Sequence, residues 1–187
     1  SKSTSLATRR SMHAMLAETE RVPRSVFETG IGWFGLWGTR EGVAGVVIGH
    51  RTAAAARRAI SVEPAEESDW WPELRRRLQR FTEGERVEFA DVPLAVPSGT
   101  SFHRRVVRRV RAIGYGCVES YGDVARAAGS PRAARAVGRV MATNPVPILI
   151  PCHRVVAAAG SLGGFSAPGG LRLKRRLLEL EADDPSS

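Results

Sequence analysis

The chain has 187 residues, of which 43% are hydrophobic and 25% charged, and its formal net charge is +9. This is the composition of a soluble globular protein, long enough for one large domain or two small ones. No run of roughly 18 apolar residues is present, which argues against a transmembrane helix. The first 22 residues contain no apolar stretch typical of a signal peptide, so we expect a cytoplasmic protein.

Most of the positive charge lies in the C-terminal half. Residues 98–187 contain 14 basic and 6 acidic residues, a balance of +8, whereas residues 1–97 contain 14 and 13. This asymmetry is typical of a half that binds a polyanion, although a solvated arginine-rich surface would give the same count. The only two cysteines, Cys117 and Cys152, cannot build a secreted disulfide framework. No Cys/His spacing is typical of zinc, so we expect no metal and no cofactor.

The N-terminal half predicts a small sheet with helices. Residues 1–22 are interpreted as a polar extension with a helical turn around Met12–Glu20. Short apolar or alternating runs between glycine-containing turns predict a meander of three strands: Ser25–Thr29, Gly32–Trp37 and Val43–Gly49. The alanine-rich segment Ala53–Ile60 and the amphipathic segment Trp70–Phe81 predict helices, and Val87–Val92 predicts a further strand. Residues 23–97 are therefore interpreted as an α+β support domain.

A domain boundary is predicted at the turn residues Pro97–Gly99, so that residues 98–187 form a second domain. Thr100 or Ser101 can cap a helix whose apolar face runs from Phe102 to Ile113.

Two further helices are predicted beyond that face. Ser120 suits a helix N-cap with Asp123 as its acidic partner, and the helix would continue to Ala128. After the break at Gly129–Pro131, Arg132–Ala142 predicts the next helix. The pair has the pattern of a helix-turn-helix, so the second domain is expected to be mostly helical and winged-helix-like. A packed helix pair that binds nothing fits the same pattern.

The stretch from Asn144 to Val156 carries the chemistry. Three prolines within it fix an extended path that ends at adjacent Cys152 and His153. A thiolate is the reactive form of cysteine, and a neighbouring base could produce it. Adjacent side chains of an extended chain point to opposite faces, so His153 can serve Cys152 only if the backbone turns there or a water bridges them. An inert core cysteine beside a structural histidine is the alternative.

The sequence Pro-Cys-His-Arg-Val at Pro151–Val155 resembles the signature of the O6-alkylguanine-DNA alkyltransferases, also called methylated-DNA–protein-cysteine methyltransferases. The resemblance covers about residues 100–181 in order, and it includes further matching segments: Ser120–Asp123, Arg132–Gly138, Asn144–Pro147, Gly163–Ser166, Gly169–Gly170 and Lys174 to Glu181. The N-terminal half resembles the family only in being rich in strands. The resemblance implies direct-reversal DNA repair: a single alkyl transfer from O6 of guanine to the cysteine, which inactivates the protein.

The resemblance also implies a relay at the cysteine. Cys152 would be the alkyl acceptor, His153 would take the thiol proton through a water, and Glu181 would orient the histidine. Asn144 resembles the family asparagine that holds the turn and the relay in place. This is the arrangement of nucleophile, base and orienter found in catalytic triads.

The same resemblance assigns the guanine pocket to Tyr121, Met141, Pro147, Val155, Phe165 and Ser166. Tyr121 would crowd the 3′ phosphate and contact the guanine ring, and Ser166 would lie near the leaving oxygen. The carbonyl groups of Cys152 and Val155 would accept hydrogen bonds from the guanine amino group. Phe165 stands where many members have Tyr, and Ala167–Pro168 lengthens the loop that walls the pocket. The range of alkyl groups and the activity on O4-alkylthymine stay open.

The resemblance implies that the partner is double-stranded DNA containing O6-alkylguanine and that the nucleotide is flipped out through the minor groove. Arg135 resembles the arginine finger that fills the vacated place. Small residues on the same helix would let its backbone approach the groove: Ala133, Ala134, Ala136 and Gly138. We expect a monomer, and cooperative binding along DNA stays open.

Three alternatives remain beside this interpretation. A non-catalytic alkyltransferase-like lesion binder would replace the acceptor cysteine, whereas Cys152 is present. A helix-turn-helix regulator would need polar residues that read base edges, whereas this helix offers mainly Ala and Gly with Arg135 and Arg139. A cysteine peptidase would need a histidine and an oxyanion site that nothing upstream supplies. Cys117 has no family role and is interpreted as structural or incidental.

Overall fold

The computed structural model describes residues 21–182. The helical turn expected around Met12–Glu20 and most of the polar extension lie outside these residues. In the described part of the chain, no helix is long and apolar enough to cross a membrane.

The N-terminal half contains a four-stranded sheet. Its strands are β1 (Val22–Thr29), β2 (Gly32–Thr39), β3 (Gly42–His50) and β4 (Ala65–Glu67), in the order β3-β2-β1-β4. The first three form the predicted antiparallel meander. The short β4 pairs parallel with β1 and was not predicted, because Ala-Glu-Glu lacks an apolar strand pattern. Two helices accompany the sheet, α1 (Ala53–Ala59) and α2 (Pro72–Thr82), close to their predicted bounds.

The strand predicted at Val87–Val92 is wrong. This segment crosses the surface of the core without ladder pairing, although Val87, Phe89 and Val92 are buried. Its carbonyl groups are occupied by guanidinium groups instead of a neighbouring strand. Arg111 Nη2 donates to the carbonyl oxygens of Phe89 at 3.2 Å, Ala90 at 3.0 Å and Val92 at 2.9 Å. The alternating apolar pattern therefore arises because one side of this irregular segment is buried, and not because the segment is a strand.

The C-terminal half is mostly helical. Its elements are α3 (Ser101–Arg111), β5 (Glu119–Ser120), α4 (Tyr121–Ala127), α5 (Ala134–Ala142), a short 3₁₀ helix (Cys152–Arg154), β6 (Val155–Val156), a second 3₁₀ turn (Ala158–Gly160) and α6 (Gly170–Ala182). Strands β5 and β6 pair in parallel and fix the start of α4 beside the cysteine segment. Helix α5 begins two residues later than predicted, because residues 131–132 form a turn.

The predicted helix starts rest on local hydrogen bonds. Thr100 caps α3 because its hydroxyl accepts a hydrogen bond from the backbone amide of His103. Ser120 and Asp123 form a reciprocal capping box at α4, as predicted. Ile113, predicted on the face of α3, is buried just beyond the last helical turn.

Buried side chains of both halves form one continuous core, which surrounds the cysteine segment. Phe81 of α2 is fully buried, and its ring centroid lies 6.2 Å from those of Tyr115 and His153. The N-terminal half therefore packs directly against the segment that carries the candidate site.

Candidate active site

The proline-rich segment is held as a compact loop by one asparagine. The Asn144 side-chain amide donates to the carbonyl oxygen of Ile150 at 2.8 Å, and its oxygen accepts from the Val146 amide at 3.0 Å. Inside the loop, Ile148 has a φ of 73°, which is unfavourable for a β-branched residue. The loop is therefore held by the asparagine and by burial of Ile148, Leu149 and Ile150.

The backbone turns at Cys152, as the interpretation of adjacent Cys and His required. Cys152–Arg154 form a single 3₁₀ turn directly after Pro151. The Cys152 side chain faces a cavity although the residue is only 6% exposed. Burial raises the pKa of its thiol, against an opposing hydrogen bond from Asn144 and the positive charge of Lys174. The thiol is therefore protonated at neutral pH and needs a base before it can react.

His153 is the buried base candidate beside the thiol. Its Nε2 lies 2.8 Å from Glu181 Oε1. Burial lowers the pKa of His153, despite the opposing hydrogen bond to Glu181, so the ring is neutral at pH 7. A neutral imidazole whose Nε2 faces a carboxylate must carry its proton on Nε2. The lone pair therefore lies on Nδ1, which is buried and has no hydrogen-bond partner among the described residues.

A buried arginine keeps Glu181 ionised. Arg154 donates from Nε to both carboxylate oxygens, at 3.1 and 3.0 Å, and from Nη2 to Oε1 at 2.9 Å. The backbone amide of Gly116 also donates to Oε2 at 3.2 Å. Burial raises the pKa of Glu181, but the hydrogen bonds from His153 and Arg154 and the positive charge of Arg154 outweigh it, so the pKa is lower than usual. The carboxylate is therefore fixed in position by donors on both oxygens.

In front of Cys152 lies a cavity of about 750 Å³, which we call the reaction pocket. Besides the cysteine, seven of the predicted site residues line it: Tyr121, Ala134, Arg135, Gly138, Met141, Phe165 and Ser166. Asn144 and Pro147 line a second cavity that adjoins it at Cys152. Ala133 and Ala136 line neither cavity, and Ala133 precedes the first turn of α5. Arg135 is exposed at the mouth of the pocket.

The last predicted pocket residue, Val155, is fully buried and lines neither cavity, and its carbonyl group, expected to face the guanine amino group, is bound by a lysine. Lys174 Nζ donates to this carbonyl oxygen at 2.6 Å and to that of Gly164 at 3.3 Å. Burial lowers the pKa of Lys174 to about 8, although the nearby Cys152 raises it. One lysine thus joins β6 to the loop that walls the pocket, and its ammonium lies 5.7 Å from the centroid of the Tyr121 ring.

Comparison with known proteins identifies the family. Residues 101–183 match the family model described as the DNA-binding domain of 6-O-methylguanine DNA methyltransferase. Over 159 residues, the chain is 37% identical to a methylated-DNA–protein-cysteine methyltransferase of Methanosarcina acetivorans, covering 84% of this chain and 96% of the relative. The chain belongs to this methyltransferase family. A Mycobacterium tuberculosis member is 47% identical over 105 residues, which cover 56% of this chain and 61% of that protein.

Solved structures of methyltransferases share the whole fold. The crystal structure of Mycobacterium tuberculosis OGT in complex with DNA has a TM-score of 0.74 and 34% identity, covering 86% of this chain and 93% of that one. The O6-methylguanine-DNA methyltransferase of Pyrococcus kodakaraensis has a TM-score of 0.65 and 29% identity, covering 84% and 98%. The small sheet with helices is therefore part of the methyltransferase fold. The 159-residue match to the Methanosarcina acetivorans relative also extends into the N-terminal half, which the sequence alone had linked to the family only by its strands.

Sequence reasoning missed three buried residues of this methyltransferase site. Arg154, Lys174 and Phe81 contact the relay or the pocket, but no role was predicted for them. Arg154 lies within the Pro-Cys-His-Arg-Val signature, but its contact with Glu181 is distant in sequence, and Phe81 carries no local signal. Lys174 did carry one: the chain uses arginine for 26 of its 28 basic residues, so each of its two lysines is an exception.

Proposed function

We propose that this protein repairs DNA by direct reversal, by transferring an alkyl group from O6 of guanine to Cys152 once. One observation carries the proposal: a buried thiol lines a pocket, and the next residue in the chain is a buried, neutral histidine that a carboxylate orients. The family of the chain supports it, because the named relatives are methylated-DNA–protein-cysteine methyltransferases.

The relay would activate the thiol through Nδ1 of His153. Since Glu181 holds the proton on Nε2, Nδ1 is the atom that can accept a proton, through a bridging water as the family resemblance implies. The imidazolium formed in this step would be stabilised by the Glu181 carboxylate. Asn144 would act as a positioning residue, because it fixes the loop that presents the thiol.

The transfer is a nucleophilic substitution at the carbon attached to O6. The Cys152 sulfur forms the new carbon–sulfur bond as the carbon–O6 bond breaks, and that electron pair returns to the guanine. In the net reaction the thiol proton ends on the guanine ring, which regains its normal form. A thioether is not broken by the groups around Cys152, so the protein would react once.

Helices α4 and α5 are proposed to bind the lesion as a helix-turn-helix. Tyr121, at the start of α4, and Gly138 of α5 line the reaction pocket together, so a nucleotide in the pocket would touch both helices. Because O6 of a stacked guanine cannot reach a buried thiol, the nucleotide of double-stranded DNA must be flipped. Exposed Arg135 would fill its place, and Ala133, Ala134, Ala136 and Gly138 would allow close approach of the helix backbone.

The division of labour between the halves is also a proposal. Residues 98–187 would bind DNA and accept the alkyl group as a monomer, and residues 23–97 would support them. The contact of Phe81 with His153 favours this role for the N-terminal half. The pocket lining of Tyr121, Met141, Phe165 and Ser166 favours their assignment to the guanine, and Pro147 lines the adjoining cavity.

Two cysteine variants, one at Cys152 and one at Cys117, test the assignment of the acceptor. The variant Cys152→Ala should lose alkyl transfer completely but still bind duplex DNA containing O6-methylguanine, because the sulfur contributes chemistry rather than docking. The matched control is Cys117→Ala, which removes the exposed cysteine and should transfer at the wild-type rate. Transfer retained by the Cys152 variant, or lost in the control, would contradict the assignment of the acceptor.

A further inference from the structure

One face of α3 carries three arginines that the proposed repair reaction does not use. Arg104, Arg108 and Arg111 follow one another at helical spacing, so their side chains lie on the same side of the helix. They line a cavity of about 460 Å³ between α3 and the segment that precedes it, which we call the arginine pocket. None of the described residues that line this pocket is Asp or Glu. The pocket is therefore concave and positively charged.

The positive charge of the arginine pocket is not neutralised within the described part of the chain. Among these residues, Arg108 has no hydrogen bond or ion pair, and Arg104 and Arg111 donate only to backbone carbonyl groups. Asp91 acts on the charge of Arg111, but its two carboxylate oxygens are bound by Arg77, at 2.8 and 2.7 Å. The three guanidinium groups are therefore held side by side without a carboxylate partner of their own.

An uncharged cavity, which we call the inner cavity, adjoins the arginine pocket on the side of α5. It has a volume of about 360 Å³ and shares four lining residues with the arginine pocket: Val96, Pro97, His103 and Val107. Its far wall comes from the end of α5 and the segment that follows, through Val140 and Pro145 among others. None of the described residues that line it is Asp, Glu, Lys or Arg. A charged site and an uncharged site thus lie next to each other.

The two cavities suit a small ligand with one anionic and one uncharged part. Binding sites for small molecules are concave and roughly 300–1,000 Å³ in volume, the range in which both cavities fall. Guanidinium groups bind phosphate through paired N–H donors, and an uncharged ring gains free energy by leaving water for an apolar wall. We propose that the arginine pocket and the inner cavity together bind a small phosphorylated molecule that carries an uncharged ring, the chemistry of a mononucleotide. This site is separate from the reaction pocket and is independent of alkyl transfer to Cys152.

The test is a calorimetric titration of the full chain in about 0.15 M salt, where attraction between distant charges is screened. The probes are adenosine monophosphate, adenosine, which lacks the phosphate, and inorganic phosphate, which lacks the ring. Adenosine monophosphate should bind at least about tenfold more tightly than either fragment, because only it occupies both cavities. The variant Arg108→Ala should weaken this binding about tenfold by removing a charged donor. The matched control is Arg172→Ala, an exposed arginine of α6 that lines neither cavity, and it should keep the wild-type affinity.

No binding of adenosine monophosphate to the wild-type protein, or binding no tighter than that of inorganic phosphate, would overturn the proposal. An equal loss of affinity in Arg108→Ala and Arg172→Ala would also overturn it, because the probe would then respond only to net charge. The reaction pocket is the other place where a nucleotide could bind, so Arg135→Ala, at the mouth of that pocket, is titrated as well. A loss of affinity in Arg135→Ala without one in Arg108→Ala would place the probe there and refute the new site. None of these outcomes changes the test of Cys152 as the alkyl acceptor.

Discussion

The regions behind and in front of Cys152 differ in burial and in the way charge is arranged. Behind it, His153, Arg154 and Glu181 are at most 4% exposed and are joined by hydrogen bonds. In front of it, the reaction pocket is lined mainly by apolar and small residues, with exposed Arg135 at its mouth. Fixed charges behind the thiol suit proton transfer, whereas an uncrowded front suits the entry of a large nucleotide. Changes behind Cys152 should therefore affect both stability and rate, whereas a change of the exposed Arg135 in front should affect only the use of duplex DNA.

The largest effect is expected from Glu181→Gln. This change leaves Arg154 buried without a carboxylate and no longer fixes the tautomer of His153. We expect a loss of roughly 3–5 kcal/mol in the free energy of unfolding. The transfer rate of the folded fraction should fall about 100-fold. Chemical denaturation and single-turnover kinetics measure the two effects. Glu179→Gln, an exposed change on the same helix, is the control and should alter neither. A stable and fully active Glu181→Gln variant would show that the relay is not needed.

The variant Arg135→Ala should slow repair of duplex DNA without slowing the transfer chemistry at Cys152. Without the side chain that fills the gap in the duplex, flipping costs more, so repair of duplex DNA should slow about tenfold. Reaction with free O6-benzylguanine should stay at the wild-type rate, because a free base needs no flipping. Arg139→Ala is the matched control, since Arg139 is exposed on the same helix but does not line the reaction pocket. Equal slowing with duplex and free base would refute the finger role.

The pH dependence of the rate below pH 7 tests the buried base, because Lys174, whose pKa is about 8, stays protonated there. Burial lowers the pKa of His153 from 6.5, so the ring stays neutral, and able to accept a proton, somewhat below pH 6.5. Burial also raises the pKa of Cys152 above its reference value of 9.0, so the thiol stays protonated through neutral pH. With free O6-benzylguanine the rate should therefore be flat at neutral pH and fall only below pH 6.5. An acid limb at or above pH 6.5 would contradict a neutral, buried histidine.

The smallest effect is expected from a change at the start of α3, which lies in neither of the two regions around Cys152. Thr100→Ala removes the N-cap of α3, which should lower the free energy of unfolding by about 1 kcal/mol. Thr100 lines neither the reaction pocket nor the cavity that adjoins it at Cys152, so transfer to Cys152 should keep its wild-type rate. Thermal unfolding and single-turnover kinetics on the same sample check both expectations. A slower transfer would mean that general loss of stability slows the reaction, which would weaken the comparison between front and back.

Local patterns in the sequence predicted the elements that depend on local physics. The meander, the Thr100 cap and the Ser120–Asp123 capping box follow from alternation, glycine turns and side chains that bond their own backbone. The strand predicted at Val87–Val92 is wrong because Arg111, distant in sequence, binds carbonyl groups that a neighbouring strand would need. The short β4 was missed because its pairing partner, not its composition, makes it a strand.

The candidate site divides in the same way. The family motif identified Cys152 and His153, and the resemblance assigned Glu181 to the same relay. These assignments could be made from the sequence because a motif is recognised by the identity of residues along the chain. Arg154, Lys174 and the Phe81 contact arise only when α2, β6 and α6 meet in the folded protein. The cavity that adjoins the reaction pocket at Cys152 could not be predicted from the sequence either, because its walls come from both halves of the chain.

The central claim is that Cys152 accepts one alkyl group from DNA. Its most direct test is to incubate the protein with excess duplex DNA containing one O6-methylguanine and to record intact and peptide masses. The account predicts one added methyl group per protein, located on the peptide that contains Cys152, with an equal amount of unmodified guanine in the DNA. Tight binding of the lesion without any change in mass, or a methyl group on Cys117 instead, would contradict it.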